Sequence, residues 1–163
     1  MHVVLHEPEI HYNTGNIGRT CVVTGCGLHL IEPLGYSLDD KYVKRAGMDY
    51  WPELDLHVYK NYDEFSDMNP GARIFMATTK GGVPYTDAAY EPGDYLLFGK
   101  ESAGLPEQIL KQDVSRCIRI PMLPGRRSLN LANAVAVVVY EALRQNGFAG
   151  MERRGALVRP GAV

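Results

Sequence analysis

Cysteine is scarce in this sequence, and the cysteines that occur are not paired. Cys21, Cys26 and Cys117 are odd in number and form no CxxC pair, which argues against a disulfide framework and against a zinc site. We predict that they are buried, reduced thiols. The histidines are also scattered: His2 and His6 would share one face of a strand, but no third ligand is spaced to complete a metal site. We therefore assign no metal.

Long apolar runs and a large positive charge are absent as well. No apolar run approaches the roughly 20 residues of a membrane span, and the opening residues, MHVVLHEPEI, lack the basic lead and long apolar segment of a signal peptide. A net charge of −2 and a pI near 6.2 are not typical of a protein that coats nucleic acid by bulk charge. We predict a cytoplasmic protein with no membrane attachment, in which only local basic clusters could contact nucleic acid.

The length and composition are those of one globular domain. The chain has 163 residues, of which 45% are hydrophobic and 22% are charged, so it is long enough to bury a core and has the composition of an ordinary folded protein. We predict a single domain over residues 1–150 and a loosely ordered tail over residues 151–163.

Short apolar runs alternate with helical patterns along the chain. The runs predict strands at residues 2–6, 28–31, 54–59, 73–78, 95–98 and 117–120. The helical patterns predict helices at about residues 15–24, 37–45, 61–68 and 107–110, and a long helix that begins at Ser128. Asn13 or Thr14 is expected to cap the first of these helices. The alternation predicts an α/β fold with a mostly parallel sheet flanked by helices.

The triplet Gly25-Cys26-Gly27 suggests a dinucleotide-binding loop, but its context is wrong. A phosphate-binding GxGxxG follows a strand and opens a helix. These glycines follow a predicted helix and lead into a strand, so they are expected to end that helix instead.

The last predicted helix is apolar on every side. Ser128 is a good N-cap residue, and the residues after it place leucine, alanine and valine on all faces of the helix, so no side is left for water. In a chain this small, such a helix is expected to pack against the sheet on one side and a partner subunit on the other. The sequence therefore predicts a homodimer.

Three loops directly follow predicted strands, at residues 77–82, 99–106 and 121–128. Ligands bind at the carboxyl edge of open parallel sheets, so these loops should converge. Gly99 and Gly104 would let the backbone approach a ligand, and Glu101 supplies a carboxylate between them. Ordinary explanations also exist: turn glycines, a surface acid or helix cap at Glu101, and an exposed helical arginine at Arg19. Their joint occurrence at strand ends favours a site.

Three motifs resemble a known family. They are NTGNIGR from Asn13 to Arg19, FGKESAGLP from Phe98 to Pro106, and IPMLP from Ile120, which continues into RSLNLAN ending at Asn133. In this order they resemble the three motifs of SPOUT-class RNA 2′-O-methyltransferases, over nearly the whole chain. The similarity is greatest to the short, single-domain tRNA wobble-nucleotide enzymes of the TrmL (YibK) type.

The resemblance implies a fold, a reaction and a set of site residues. It implies a C-terminal deep trefoil knot, a homodimer packed through the first and last helices, S-adenosylmethionine as cofactor, and a tRNA anticodon stem-loop as substrate. The methylated nucleotide would be cytidine(34) or 5-carboxymethylaminomethyluridine(34). Carried over by position, the catalytic set is Arg19, Asn13, Glu101, Ser128 and Asn130. The expected cofactor-binding residues are Ala77, Thr78, Gly99, Glu101, Gly104, Ile120, Met122, Ser128 and Leu129. The expected RNA-binding residues are Lys41, Lys44, Arg45, Lys80, Arg126, Arg127, Tyr140 and Arg144.

Two questions remain open at the level of sequence. Arg19 could accept the proton of the ribose hydroxyl or clamp the neighbouring phosphate, and an arginine's persistent charge and forked geometry favour the clamp. The alternatives to a wobble-nucleotide enzyme are a 2′-O-methyltransferase of ribosomal RNA or another tRNA position, a non-catalytic RNA-binding module on the same fold, and a generic α/β nucleotide binder. The absence of an appended N-terminal domain favours the short wobble type.

Overall fold

The computed structural model describes residues 1–38 and 50–155. Most of the helix predicted over 37–45 lies outside these residues, as do Lys41, Lys44, Arg45 and the last eight residues of the predicted tail. The strands are β1 (His2–His6), β2 (Gly27–Ile31), β3 (Leu56–Tyr59), β4 (Ile74–Ala77), β5 (Val83–Pro84), β6 (Tyr95–Phe98) and β7 (Cys117–Arg119). The helices are α1 (His11–Thr24), α2 (Tyr62–Met68), α3 (Glu107–Leu110) and α4 (Leu131–Gln145), with 3-10 turns at Trp51–Glu53 and Val114–Arg116.

The seven strands within residues 1–38 and 50–155 form one sheet in the order β3-β2-β1-β6-β4-β7-β5, and every pairing among them is parallel. Parallel neighbours must be joined by crossovers, so helices cover both faces. The predicted parallel sheet flanked by helices is confirmed. Strand β5 was not predicted because it has only two residues, one of which is a proline, and proline is a weak strand signal.

Alternate residues of the central strands point to opposite faces of the sheet. On one face, Leu5 packs in a buried cluster with Ile17 of α1 and Val135 of α4. On the other, Val4 packs with Phe65 of α2 and Ile109 of α3, and Cys117 also belongs to this second cluster. The three cysteines are free and buried, as predicted.

Helix α1 begins four residues earlier than predicted. Its N-cap is Ile10, which makes no side-chain capping bond, so the prediction that Asn13 or Thr14 caps the helix is wrong. Both side chains lie in the first turn and bond to more distant parts of the chain. The helix ends as predicted at Gly25, which has a φ of 67° and donates its N–H to carbonyls of the preceding turn.

Helix α4 begins at Leu131, so the prediction that Ser128 is its N-cap is wrong. Asn130 takes that position, and its Oδ1 accepts the N–H of Ala132 at 2.9 Å and that of Asn133 at 3.4 Å. Ser128 remains in the exposed loop before the helix. Helix α4 is also not covered on all sides within one chain, since Val137 and Tyr140 are exposed.

Strand β7 lies between two strands that are close in sequence. Ile118 pairs with Ala77 of β4 on one side and with Val83 of β5 on the other. Residues 78–82 therefore cross over β7 to join β4 to β5. A methyl group added at Gly81 would lie 2.7 Å from the carbonyl oxygen of Cys117, so this crossing packs directly on the backbone of β7.

Two absences concern only residues 1–38 and 50–155. No helix in those ranges combines the length and the hydropathy needed to cross a membrane. No group of three or more His, Cys, Asp or Glu side chains in them is arranged to hold a metal ion.

Candidate active site

A pocket of about 520 Å³ opens at the carboxyl edge of the sheet. It lies where the three loops that follow β4, β6 and β7 meet the starts of α1 and α4. Its lining consists of Ile10, Asn13, residues 77–80, residues 98–105, Ile120, Met122, residues 127–131 and Ala134. The volume is within the range of about 300–1,000 Å³ that is common for small-molecule sites.

A chain of side-chain hydrogen bonds connects three distant segments beside this pocket. Asn130 donates from Nδ2 to Oδ1 of Asn13 at 2.9 Å, and Asn13 donates from Nδ2 to Oε1 of Glu101 at 2.8 Å. Asn13 is buried and has both side-chain polar atoms bonded. The chain therefore fixes the orientation of the Glu101 carboxylate relative to the starts of both α1 and α4.

The loop after β6 folds back tightly on itself. Lys100 and Gly104 form an antiparallel bridge, in which the Gly104 N–H donates to the Lys100 carbonyl at 2.8 Å. Gly104 has a φ of 72°, a conformation that glycine adopts without strain. A methyl group added at Gly99 would lie 2.0 Å from the carbonyl carbon of Gly104. Only glycine at position 99 allows this closure, and residues 98–105 line the pocket.

Residues 7–9, which follow β1, contact the same loop. Glu7 forms an ion pair with Lys100 at 2.8 Å. The Glu9 carboxylate accepts the Ser102 N–H at 2.9 Å and the Ser102 hydroxyl at 2.7 Å, and these bonds lower the pKa of Glu9. The backbone N–H of Glu9 donates to Oε2 of Glu101 at 2.8 Å. Both carboxylate oxygens of Glu101 are thus held.

The loop after β4 forms the opposite wall. The Thr78 N–H donates to the Ile118 carbonyl at 2.9 Å, and the Arg119 guanidinium donates to the Thr79 carbonyl. Lys80 forms an exposed ion pair with Glu107 at 2.8 Å, and its ammonium lowers the pKa of that carboxyl. The first two contacts tie the crossing segment to β7 at the edge of the pocket, and the ion pair ties it to α3.

The pocket brings together every residue expected to bind the cofactor and every expected catalytic residue except Arg19. The expected residues that line the pocket are Asn13, Ala77, Thr78, Gly99, Glu101, Gly104, Ile120, Met122, Ser128, Leu129 and Asn130. The convergence predicted for the three loops is therefore found. The roles assigned to the individual residues stay predictions.

Arg19 is the exception within the expected catalytic set. It lies on the exposed side of α1 and does not line the pocket of its own chain. Its guanidinium carbon lies 5.1 Å from the centroid of the Tyr50 ring, in a cation–π contact. Asn13 and Arg19 lie six residues apart on α1, which places their side chains about 120° apart around the helix axis. The predicted cap position would place Asn13 before the helix, where this angle does not apply.

The residues expected to bind RNA fall in separate places. Lys80 and Arg127 line the pocket, and Arg126 lies in the exposed loop beside it. Tyr140 and Arg144 lie on α4 and do not line the pocket. Arg144 forms a two-pronged ion pair with Glu141, with distances of 2.8 and 2.9 Å.

Several pocket residues were not expected from sequence. The pocket residues missed are Ile10, Thr79, Phe98, Lys100, Ser102, Ala103, Leu105, Leu131 and Ala134. Most of them lie inside or next to the three motifs, so their closeness to the motifs in sequence could have indicated that they line the pocket. The contacts of Glu7 and Glu9 had no sequence signal, because they join positions more than 90 residues apart.

Comparisons with known proteins agree with this geometry. The profile of the SpoU rRNA Methylase family matches residues 1–140. A protein of Aeromonas hydrophila subsp. hydrophila named tRNA (cytidine(34)-2'-O)-methyltransferase is 51% identical over 149 residues, which cover 91% of this chain and 96% of that protein.

Two solved structures are also similar. One, described as giving structural insights into the 2-OH methylation of C/U34 on tRNA, has a TM-score of 0.84 and 47% identity, and covers 90% of this chain and 96% of that chain. The SpoU methyltransferase AviRb from Streptomyces viridochromogenes, in complex with the cofactor AdoMet, has a TM-score of 0.79 and 26% identity, and covers 90% of this chain and 57% of that chain.

Proposed function

The chain belongs to the SpoU rRNA methylase family, and from this membership and the geometry of its pocket we propose that it methylates the ribose 2′ oxygen of nucleotide 34 in tRNA. The base at that position is a cytidine or a uridine. The expectation of an RNA methyltransferase is confirmed by relatives that match most of the chain and are named tRNA (cytidine(34)-2'-O)-methyltransferase. They favour tRNA over the alternative of a ribosomal RNA site.

One observation carries the proposal for this chain. Asn13, Glu101 and Asn130, one from each of the three motifs, form a single hydrogen-bonded chain beside the pocket. Such an arrangement holds polar groups in fixed positions, and good alignment of two reactants can contribute about 7–11 kcal/mol of the barrier reduction. A binding module without catalytic function would not need this alignment of all three motifs.

The residues of the pocket fit S-adenosylmethionine. The close approach at Gly99, where a side chain would collide with Gly104, leaves backbone donors and acceptors facing a ligand. Ile120, Met122 and Leu129 supply an apolar surface for an adenine ring. Neighbours in the family include AdoMet-bound methyltransferases.

Each wall of the pocket has a proposed role in holding that cofactor. Residues 77–78 and 99–104 would contact it through their backbones, and Ser128 and Leu129 would close over it. When bound, the cofactor supplies an electrophilic methyl carbon on a positively charged sulfonium. The protein's own contribution is to exclude water and to hold Glu101 in one orientation.

Arg19 is proposed to act on RNA and not on the cofactor. An arginine keeps its charge and offers a forked set of donors that matches a phosphate, so Arg19 suits a clamp on the RNA backbone better than a base. Because it lies outside the pocket of its own chain, we propose that it serves the pocket of a second copy in a homodimer. The open faces of α1 and α4 suit such a dimer, since Val23 and Val137 are exposed on them.

We also propose that the C-terminal part of the chain is knotted. Strand β7 lies in a slot between β4 and β5, and those strands are joined by only the five residues 78–82. The chain that follows β7 must therefore pass the connection formed by residues 78–82 before it reaches α4, which lies on the same face of the sheet as α1. This placement supports a deep trefoil knot, a rare exception to the rule against threaded chains.

The remaining proposals concern partners. Lys80 and Arg127 line the mouth of the pocket and would contact the anticodon stem-loop, with Arg126 beside them. Tyr140 and Arg144 would contact RNA from α4. No step requires a metal ion.

Mass spectrometry of tRNA digests tests the function directly. Purified protein is incubated with total tRNA and, in a separate reaction whose digest is analysed in the same way, with ribosomal RNA; both reactions contain S-adenosylmethionine that carries a labelled methyl group. We expect the label on the ribose of nucleotide 34. Label on the ribose of another tRNA or ribosomal RNA position, or cofactor binding without any methylated RNA, would contradict the proposal. Asn13→Ala is the matched inactive variant.

A further inference from the structure

The segment Glu7-Pro8-Glu9, called here the EPE segment, contacts the loop that carries Glu101 at several points. The ion pair of Glu7 anchors Lys100, and the two bonds of the Glu9 carboxylate anchor the backbone and hydroxyl of Ser102. Glu101 lies between these two anchors. The family resemblance assigned no role to any residue of this segment.

Glu9 both accepts hydrogen bonds from this loop and donates one to it. Its carboxylate holds Ser102, while its own backbone N–H holds Oε2 of Glu101. The other oxygen of Glu101 is held by Asn13. If the Glu9 backbone moved away from Glu101, the carboxylate would have one fixed oxygen and could rotate about that bond; the Glu9 side chain opposes this movement by holding Ser102.

Contacts with Gly35 hold the EPE segment on the side away from the Glu101 loop. Glu7 has a φ of 51°, an uncommon backbone conformation for a residue other than glycine, which persists only where surrounding contacts enforce it. Gly35 donates its N–H to the Pro8 carbonyl at 2.9 Å. A methyl group at Gly35 would lie 2.5 Å from the Glu9 carbonyl oxygen. The segment is therefore fixed between Gly35 and the Glu101 loop.

We propose that Glu9 is a positioning residue for methyl transfer, which fixes the Glu101 loop so that Glu101 presents one orientation to the pocket. This inference rests on the proposed function. It predicts that a change at Glu9 alters the rate of methyl transfer at sites that hold the cofactor, and does not alter the number of cofactor-binding sites per chain.

The test uses Glu9→Ala in the full-length chain. We measure the number of S-adenosylmethionine molecules bound per chain by calorimetry, and the single-turnover rate of tRNA methylation at saturating cofactor. Displacements of about 1 Å at a reacting centre can lower rates by about 100-fold, so we expect a rate reduced at least about tenfold with binding stoichiometry unchanged. A residue needed only for folding would instead lower the stoichiometry and leave the rate per occupied site at the wild-type value. That outcome would overturn the inference.

Two further variants sharpen the test. Glu9→Gln can still accept the Ser102 N–H and can donate to the Ser102 hydroxyl, so it should restore most of the rate. Gly35→Ala should reproduce the rate loss of Glu9→Ala, because it displaces the Glu9 backbone without removing its carboxylate. Failure of Glu9→Gln to rescue the rate would mean that the charge itself matters and would overturn the positioning role.

Ser115 supplies a matched control. Asp113 accepts both the N–H and the hydroxyl of Ser115, so it makes the same kind of carboxylate–serine contact away from the pocket lining. Ser102→Ala should lower the single-turnover rate, whereas Ser115→Ala should leave it unchanged. If wild-type protein does not methylate nucleotide 34, the proposed function fails. If it does and Glu9→Ala matches it in rate and stoichiometry, only this inference fails.

Discussion

Gly99→Ala should disrupt the cofactor site through a steric conflict that the structure makes quantitative. The added methyl group would lie 2.0 Å from the Gly104 carbonyl carbon and 2.2 Å from the Leu105 nitrogen. Ordinary contacts of this kind begin near 3.4 Å, so Gly104 must move by about 1.4 Å. Both neighbours are backbone atoms, which cannot turn away as a flexible side chain can.

The expected effects follow from that displacement. Overpacking of this kind costs about 1–3 kcal/mol, which corresponds to a melting temperature lower by roughly 2–12 °C in a chain of this size. The bridge between Lys100 and Gly104 must open, so the backbone that faces the pocket shifts with it. We expect cofactor affinity to fall at least about tenfold, since 1.4 kcal/mol of lost binding is already tenfold.

A neighbouring glycine gives the control. Among the residues that the structure describes, none has an atom within 4 Å of a methyl group added at Gly82. Gly82 lies just beyond the pocket residues 77–80, so Gly82→Ala should melt and bind as wild type does. Differential scanning calorimetry and titration with S-adenosylmethionine measure both quantities. Wild-type affinity in Gly99→Ala would refute the reasoning, because it would show that the loop can relax without changing the pocket.

Three other expectations concern the polar network, pH and RNA. Asn13→Ala leaves Glu101 without one donor, so it should lower the free energy of unfolding by about 1–3 kcal/mol and abolish methylation. Asn16 is exposed, so Asn16→Ala should change neither property. Urea unfolding measures the stability of both variants, and the tRNA assay measures their activity. Burial, helped by neighbouring histidines, lowers the pKa of His29 to about 3. Its contribution to stability is thus complete above its unfolded pKa of 6.5 and declines as the pH falls toward about 3, so thermal melts at pH 7.5 and 4.5 should differ less in His29→Gln. Arg19→Lys keeps the positive charge but loses the forked donors of the guanidinium, so turnover should fall strongly while calorimetry still finds cofactor binding. Turnover equal to that of the wild type would rule out the proposed phosphate clamp.

Much of the sheet could be predicted from sequence because its strands are short, continuous apolar runs between turn residues. The predictions for β1 and β6 match the observed bounds, and the parallel arrangement followed from the intervening helices. Strand β5 could not be found, since two residues carry no periodicity. Residues 78–82 cross over β7 and so determine that β5 lies beyond it; the sequence of β5 itself does not indicate this position.

The errors in the site came from polar residues that have two possible partners. Asn13 and Ser128 are both favourable cap residues, and local pattern could not show that Asn13 instead bonds Glu101 or that Asn130 takes the cap. Long-range hydrogen bonds to Glu101 and Asn130 hold Asn13, whereas Asn130 caps α4 through local bonds to Ala132 and Asn133. For the same reason the contact between Glu9 and Ser102 had no signal in the sequence, although both residues lie close to motifs that did.

The bond between Asn13 and Asn130 joins positions 117 residues apart, and this separation determines when activity can arise during synthesis. Asn13 leaves the ribosome early, but its amide oxygen cannot accept the bond from Asn130 until the start of α4 has left the exit tunnel. Products of premature termination before that point lack residues 127–131 and Ala134, and therefore one wall of the pocket.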